Sequence, residues 1–165
     1  MTRSFHACNS PTHEGKTNTW FTPKDILDKL GSFDLDPCTE SYRPYDIAKK
    51  HYCHDLGDDG LSLPWEGRVW LNPPYGKQIQ KWLDKLLEHG NGIALTYSRT
   101  DTRWAQKHLK ACDGCLFLKG RISFIYCDGK TKANNAANGS MFLAYGKENV
   151  KYLKKLEGIL IGRTK

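Results

Sequence analysis

No apolar run in this 165-residue chain approaches the roughly 18 residues that a membrane-crossing helix needs. The opening Met1-Thr-Arg-Ser-Phe-His also lacks the apolar centre of a secretory signal, so a cytoplasmic protein is expected. Internal repeats and low-complexity blocks are absent, and an apolar content of 39 % with 12 % aromatic residues excludes the disordered regime. The length suits one packed domain. Acidic residues are the scarcer charge, 18 against 25 Lys and Arg, which leaves a formal +7 and an isoelectric point near 9.1. That balance favours a polyanionic partner. The Lys-rich tail 147–165 is equally well read as a solvated basic surface.

What is present in unexpected number is cysteine, six in all. Without a secretory signal, and with a core large enough to stand alone, reduced thiols are expected rather than a disulfide framework. Cys112-Asp-Gly-Cys115 has metal-ligand spacing, and His51, Cys53 and His54 form a second cluster. No partner pair at matching spacing accompanies them, and Cys115 opens the apolar run Cys-Leu-Phe-Leu, so small buried thiols compete with a zinc site and no metal is assigned.

The first 19 residues are polar and read as an arm that precedes a domain over 20–165. Thr22-Pro23 then opens a short helix ending at Gly31, with Ile26, Leu27 and Leu30 on one face. Phe33-Asp-Leu-Asp-Pro37 reads as a strand stopped by proline, followed by a loop-rich region up to Trp65. Further strands are expected at 68–71, 92–97, 115–118, 122–126 and 140–145, with helices at 78–89 and 103–111. The βαβα alternation argues for an open, mostly parallel sheet flanked by helices, with function at the carboxyl ends of its strands. The polar loop 127–139 carries Lys130, Lys132, Asn134, Asn135 and Asn138, residue types suited to phosphate contacts.

Residues 69–77, Val-Trp-Leu-Asn-Pro-Pro-Tyr-Gly-Lys, place two prolines, an asparagine and a tyrosine directly after a buried strand. An amino group on a heteroaromatic ring is a poor nucleophile because its lone pair is delocalised. Two acceptors gripping its two N–H groups would localise that pair and aim it at an electrophile. The Asn72 side-chain oxygen and the Pro73 carbonyl can be those acceptors. Pro73 and Pro74 stiffen the loop, and Tyr75 offers a ring on which a flat substrate can stack for ~1–3 kcal/mol. A strand-terminating turn with a packed tyrosine is the plain alternative.

Asn72-Pro-Pro-Tyr75 resembles the catalytic motif of amino-methyltransferases that use S-adenosylmethionine. Together with Trp20-Phe-Thr-Pro23, Phe33-Asp-Leu-Asp-Pro-Cys38, Asp58-Asp-Gly-Leu61, Arg99-Thr-Asp-Thr-Arg-Trp104, Gly120-Arg-Ile-Ser-Phe124 and Gly139-Ser140, it makes the chain similar to phage-type DNA N6-adenine methyltransferases, the Dam-like family of bacteriophages and prophages. The likeness covers roughly Trp20 to Tyr145. It implies a Rossmann-like fold in a minimal single domain, and methyl transfer from S-adenosylmethionine to the adenine amino group of double-stranded DNA, by a monomer or homodimer in a bacterial host cell. The same motif can present an RNA base or a protein glutamine amide, and a non-catalytic zinc-containing module that binds nucleic acid is the alternative of another class.

Residue by residue, the resemblance implies cofactor contacts from Trp20, Thr22, Pro23, Asp36, Pro37, Thr39 and Asp58. It also implies DNA contacts from Lys77, Arg99, Arg103, Phe124, Lys130 and Lys132, on an adenine flipped out of its stack. Each has a structural alternative: a helix cap for Thr22, a loop cap for Asp36, an exposed acidic turn for Asp58, an ion pair with Asp101 for the arginines, and the core for Phe124. One departure stands out. The chain follows Asp36-Pro37 with Cys-Thr-Glu-Ser-Tyr-Arg, where many such enzymes have a glycine-rich turn, so side chains such as Thr39 take the place of close backbone approach.

Overall fold

A computed structural model describes residues 20–132, 136 and 138–162. The polar arm 1–19 and residues Asn134 and Asn135 lie outside the described residues. The elements run α1 (Lys24–Leu30), β1 (Phe33–Thr39), β2 (Ala48–Cys53), a 3-10 turn (His54–Leu56), β3 (Val69–Leu71), α2 (Ile79–His89), β4 (Gly92–Tyr97), α3 (Arg103–Ala111), β5 (Gly114–Leu118), β6 (Ser140–Tyr145), α4 (Lys147–Leu153) and β7 (Gly158–Gly162).

All seven strands join in one sheet in the order β2-β1-β3-β4-β6-β5-β7. Alternate residues of each central strand feed opposite faces. Val69 and Leu71 pack with Ile79, Trp82, Leu83 and Leu86 of α2 and Ala105 of α3. Trp70, Ile93 and Leu95 pack on the other face with Leu27 and Leu30 of α1 and Leu153 of α4. The result is a helix-sheet-helix sandwich.

The expectation of a mostly parallel sheet is corrected. Parallel pairing is confined to β2-β1-β3-β4, whereas β4-β6, β6-β5 and β5-β7 are antiparallel and hold most of the paired residues. The causes are β6, which wedges between β4 and β5 and runs against both, and β7, which runs against β5. Three local expectations also change. Residues 48–53, expected as loop, form β2: its Lys49 and Lys50 are exposed at the sheet edge, so the apolar alternation that marks a strand is missing. Residues 122–126, expected as a strand, make only isolated bridges from Ile125 to Phe21 and Lys132. The strand expected to stop at Pro37 continues to Thr39, with a register shift between Asp36 and Thr39 that accommodates the missing N–H. The Lys-rich tail holds α4 and then β7.

The amino-terminal end of the sheet is closed by polar contacts. The Arg68 guanidinium lies between the Phe33 and Tyr152 rings and donates to Asn149 Oδ1 at 2.6 Å and to the Ser32 carbonyl at 2.8 Å. Asn149 in turn donates to Asn91 Oδ1 and the Tyr145 carbonyl. A second network ties α2 and α3 to β6: fully buried His108 meets Asp84 at 2.9 Å through Nε2 and the Tyr145 hydroxyl at 2.8 Å through Nδ1. Burial, its largest cause, lowers the His108 pKa from its ordinary 6.5 against the pull of Asp84. The unfolded chain therefore binds this proton more readily, and the contribution to stability is lost as pH falls below the ordinary imidazole value. Replacing His108→Leu strands the buried Tyr145 hydroxyl and should destabilise the protein by about 1–3 kcal/mol in denaturant titration, with a weaker loss of stability on acidification than the parent.

Candidate active site

The carboxyl ends of β1 and β3 lie side by side, because Leu35 pairs with Val69 in parallel register. That register sets Asp36, near the end of β1, level with Trp70, and Asp36 lines one cleft with Asn72, the first residue after β3. A strap over 20–23 crosses the same edge. Phe21 exchanges main-chain hydrogen bonds with Ile125 at 3.0 and 2.9 Å, Trp20 packs on Tyr126 with ring centres 5.0 Å apart, and the Tyr45 hydroxyl donates to the Thr22 carbonyl. Pro23, not Thr22, occupies the cap position of α1, and no side chain caps that helix. The Thr22 hydroxyl is instead buried, with no hydrogen-bond partner among the described residues.

A narrow cleft of about 20 Å³ results, lined by Trp20, Thr22, Asp36, Thr39, Trp70 and Asn72 among others. Five residues assigned from the sequence, four to cofactor and one to catalysis, are thus gathered around one space. Asp36 is 2 % exposed, and desolvation by burial raises its pKa from 3.8 to about 7, against the lowering effects of the Cys38 N–H at 3.1 Å and of the Arg43 charge. Glu40, also on this cleft, is raised to about 8 by burial and by its hydrogen bond with Asp55. Among the described residues this wall is an acidic, desolvated surface that gains from a cation.

Cys38 also borders a larger cavity of about 560 Å³, shared by Pro37, Asp58, Gly60, Pro74, Tyr75, Lys77 and Trp82. Its floor depends on Gly60: a Cβ there would sit 1.9 Å from the Pro37 carbonyl oxygen and 2.9 Å from the Trp82 ring. The turn carrying Asp58 can therefore press against the end of β1 only without a side chain at this position. Lys85 of α2 fixes the same turn, its ammonium donating to the carbonyls of Gly60, Leu61 and Leu63 at 3.2, 2.6 and 2.6 Å. One Asp58 oxygen accepts the Cys53 N–H at 2.8 Å. The Trp82 indole N–H is buried without a partner among the described residues.

Tyr75 stacks on Tyr97, ring centres 4.0 Å apart and planes 17° from parallel. Burial raises the pKa of both hydroxyls, most strongly that of Tyr75. Tyr97 was missed in the sequence, although the signal was there. It ends β4, which pairs with β3 in parallel, so its ring emerges at the same edge as the motif. Tyr45, Trp82 and Lys85 were missed because they act through contacts distant in the chain.

The remaining assigned residues lie apart from these two spaces. Pro23 and Lys132 line a third, shallower groove. Arg99 and Arg103 are exposed around the start of α3, and neither forms an ion pair with Asp101 among the described residues. Lys130 is exposed in a turn organised by Asp128. Phe124 is buried in the core beside Leu27 and Ile122. The five described cysteines are free thiols, and no group of three or more His, Cys, Asp or Glu side chains gathers among the described residues.

Two adjoining cavities open at the carboxyl edge of the parallel strands, the place where open α/β sheets bind their ligands. Over residues 9–154 the sequence matches the DNA N-6-adenine-methyltransferase (Dam) family, and the chain belongs to that family. No curated protein and no solved structure gives a significant match. Membership carries the general activity, methylation of adenine in DNA, and a family that generally draws on S-adenosylmethionine. No helix among the described residues is long and apolar enough to cross a membrane.

Asp36 supplies a measurable consequence. Its folded pKa lies above the unfolded 3.8, so its contribution to stability is present below that value and lost as pH rises through about 7. Asp36→Asn should therefore raise the melting midpoint of the protein most at alkaline pH, by less through mild acid, and leave it nearly unchanged only below the ordinary carboxylate value of 3.8. Gly60→Ala should lower stability by about 1–3 kcal/mol at any pH, since the Cβ forces the turn from β1.

Proposed function

We propose that the chain transfers a methyl group from S-adenosylmethionine to the N6 amino group of adenine in double-stranded DNA. The observation that carries this reading is the convergence of Asn72 with the desolvated Asp36 and the buried Thr22 hydroxyl on one cleft. The parallel strands β1, β3 and β4 serve as a Rossmann-like half-sheet, with 20–162 working as one catalytic domain.

The residues present fit the cofactor. The cleft of about 20 Å³ has room for about one water, so the strap over 20–23 would have to shift for the methionine end to enter; Asp36 could then accept from its ammonium group, with Thr22, Thr39 and Trp20 as the wall. The larger cavity has the volume of a nucleoside-sized site, and Pro37, Asp58 and Trp82 line it. When bound, the cofactor's sulfonium supplies an electrophilic methyl group.

The chain's own part is alignment. Adenine must leave its stack to reach the cleft, at a cost of a few kcal/mol. The Asn72 amide oxygen and the Pro73 carbonyl accept from its N6 hydrogens, directing the lone pair toward the cleft; Pro73 and Pro74 hold both acceptors in a rigid frame. The Tyr75–Tyr97 pair is a two-ring platform beside them. Asn72 and Pro73 would hold the N6 lone pair toward the methyl group that a bound cofactor supplies, and the surplus N6 proton would pass to water. Lys77, Arg99, Arg103 and Lys130 are exposed cations available to DNA phosphates, while Phe124 contributes by packing and Pro23 and Lys132 border the strap.

Transfer of labelled methyl to duplex DNA, RNA and protein tests the assignment, with base-resolution sequencing reporting the site; label in RNA or protein alone would overturn it. Asn72→Ala should lower turnover about 10²–10³-fold, while calorimetry shows cofactor affinity within a few-fold of the parent. Cofactor affinity should weaken as pH drops below about 7, where Asp36 takes up its proton, and Asp36→Asn should flatten that profile.

A further inference from the structure

The sheet ends on β7, whose outer edge pairs with nothing among the described residues. Edge strands usually carry lysine, proline or a bulge that discourages further pairing. This one reads Gly158-Ile-Leu-Ile-Gly162 and has none of these. Two of its side chains, Ile159 and Ile161, are 69 % and 58 % exposed on the same face, while Leu160 points the other way and packs on the core.

Three features select the partner. A bare strand edge offers hydrogen-bonding groups that only another strand satisfies. The sequence of β7 is a palindrome about Leu160, so an antiparallel copy of itself matches it residue for residue: Gly158 with Gly162, Ile159 with Ile161, Leu160 with Leu160. The backbone phase agrees. The Lys119 N–H donates to the Glu157 carbonyl at 3.0 Å, and Phe117 pairs with Ile159, so Glu157, Ile159 and Ile161 direct their main-chain groups at β5. By alternation, Gly158, Leu160 and Gly162 direct theirs outward, and these are the residues that bond to one another in a register centred on Leu160.

We propose that two copies of the chain associate through β7, antiparallel about a two-fold axis at Leu160, to form one continuous sheet. Ile159 of each copy then opposes Ile161 of the other in the closer, non-hydrogen-bonded type of pair, and the four isoleucines cover one another on a single face. The interface is isologous and closed, so it stops at two copies. A five-residue strand buries less than a stable interface of about 1,200 Å², which makes the dimer concentration-dependent.

Sedimentation velocity across a concentration series reads the dimer directly. The wild type should shift from monomer to dimer with rising concentration. Ile159→Lys/Ile161→Lys, altered only at exposed positions, should remain monomeric with unchanged circular dichroism and melting midpoint. The register is tested by cysteines: mixing I159C with I161C under mild oxidation should yield a covalent dimer, since opposed α-carbons about 4.5 Å apart suit a disulfide. Either variant alone should yield no more than the wild type with its native thiols. A wild type that stays monomeric, a lysine variant that still dimerises, or cross-linking without regard to position would each overturn the proposal. None of these readouts depends on methyl transfer.

Discussion

A carboxyl group withdrawn from water at the end of β1 is the constraint around which the site is organised. Asp36 is held there by the core residues on both sides of it in the strand, Leu35 and the buried Pro37, and cannot retreat toward solvent without unpicking the parallel pairing of β1 with β2 and β3. Its charge is expensive while the cleft is empty of cations. The strap over 20–23, the Tyr45 hydroxyl that anchors it, and the Asn72 loop all close on this point. Burial therefore favours the protonated carboxyl, and a cation brought beside it would favour the charged form.

The two ends of the sheet divide the labour. At the amino end, Arg68, Asn149 and Asn91 satisfy one another and the neighbouring carbonyls, fixing where β1, β3 and β4 begin. At the carboxyl end, the Thr22 hydroxyl and the Trp82 indole N–H remain buried without partners among the described residues. Both ends thus keep buried polar atoms without partners among the described residues, Arg68 Nη2 at the amino end and these two at the carboxyl end.

Much of this was legible in the sequence where local chemistry decides structure. The two amphipathic helices α2 and α3, the buried strands β3, β4 and β6, and the Asn72-Pro-Pro-Tyr75 loop follow from periodicity and from proline. Trp20, Thr22, Asp36, Thr39 and Asn72 were singled out by the family resemblance rather than by periodicity, and all five line one cleft. What escaped depends on partners distant in the chain. β2 is amphipathic only in the context of the edge it forms; residues 122–126 alternate like a strand but find single bridging partners; and Tyr97 becomes a site residue only through the register of β4 on β3. The direction of β6 is likewise invisible locally, since an antiparallel wedge and a parallel neighbour read alike in an apolar run.

That wedge governs how the chain reaches its folded state. β4 and β6 pair residue for residue from Gly92 with Tyr145 to Tyr97 with Ser140, so the middle of the sheet is stitched from segments separated by a helix, a strand and a long polar loop. The chain must close that loop before β5 has a neighbour on its inner side, and the closure entropy falls due before the contacts that offset it are made. The motif-bearing half, β1-β3-β4, consists of shorter-range parallel pairings that do not wait for this step.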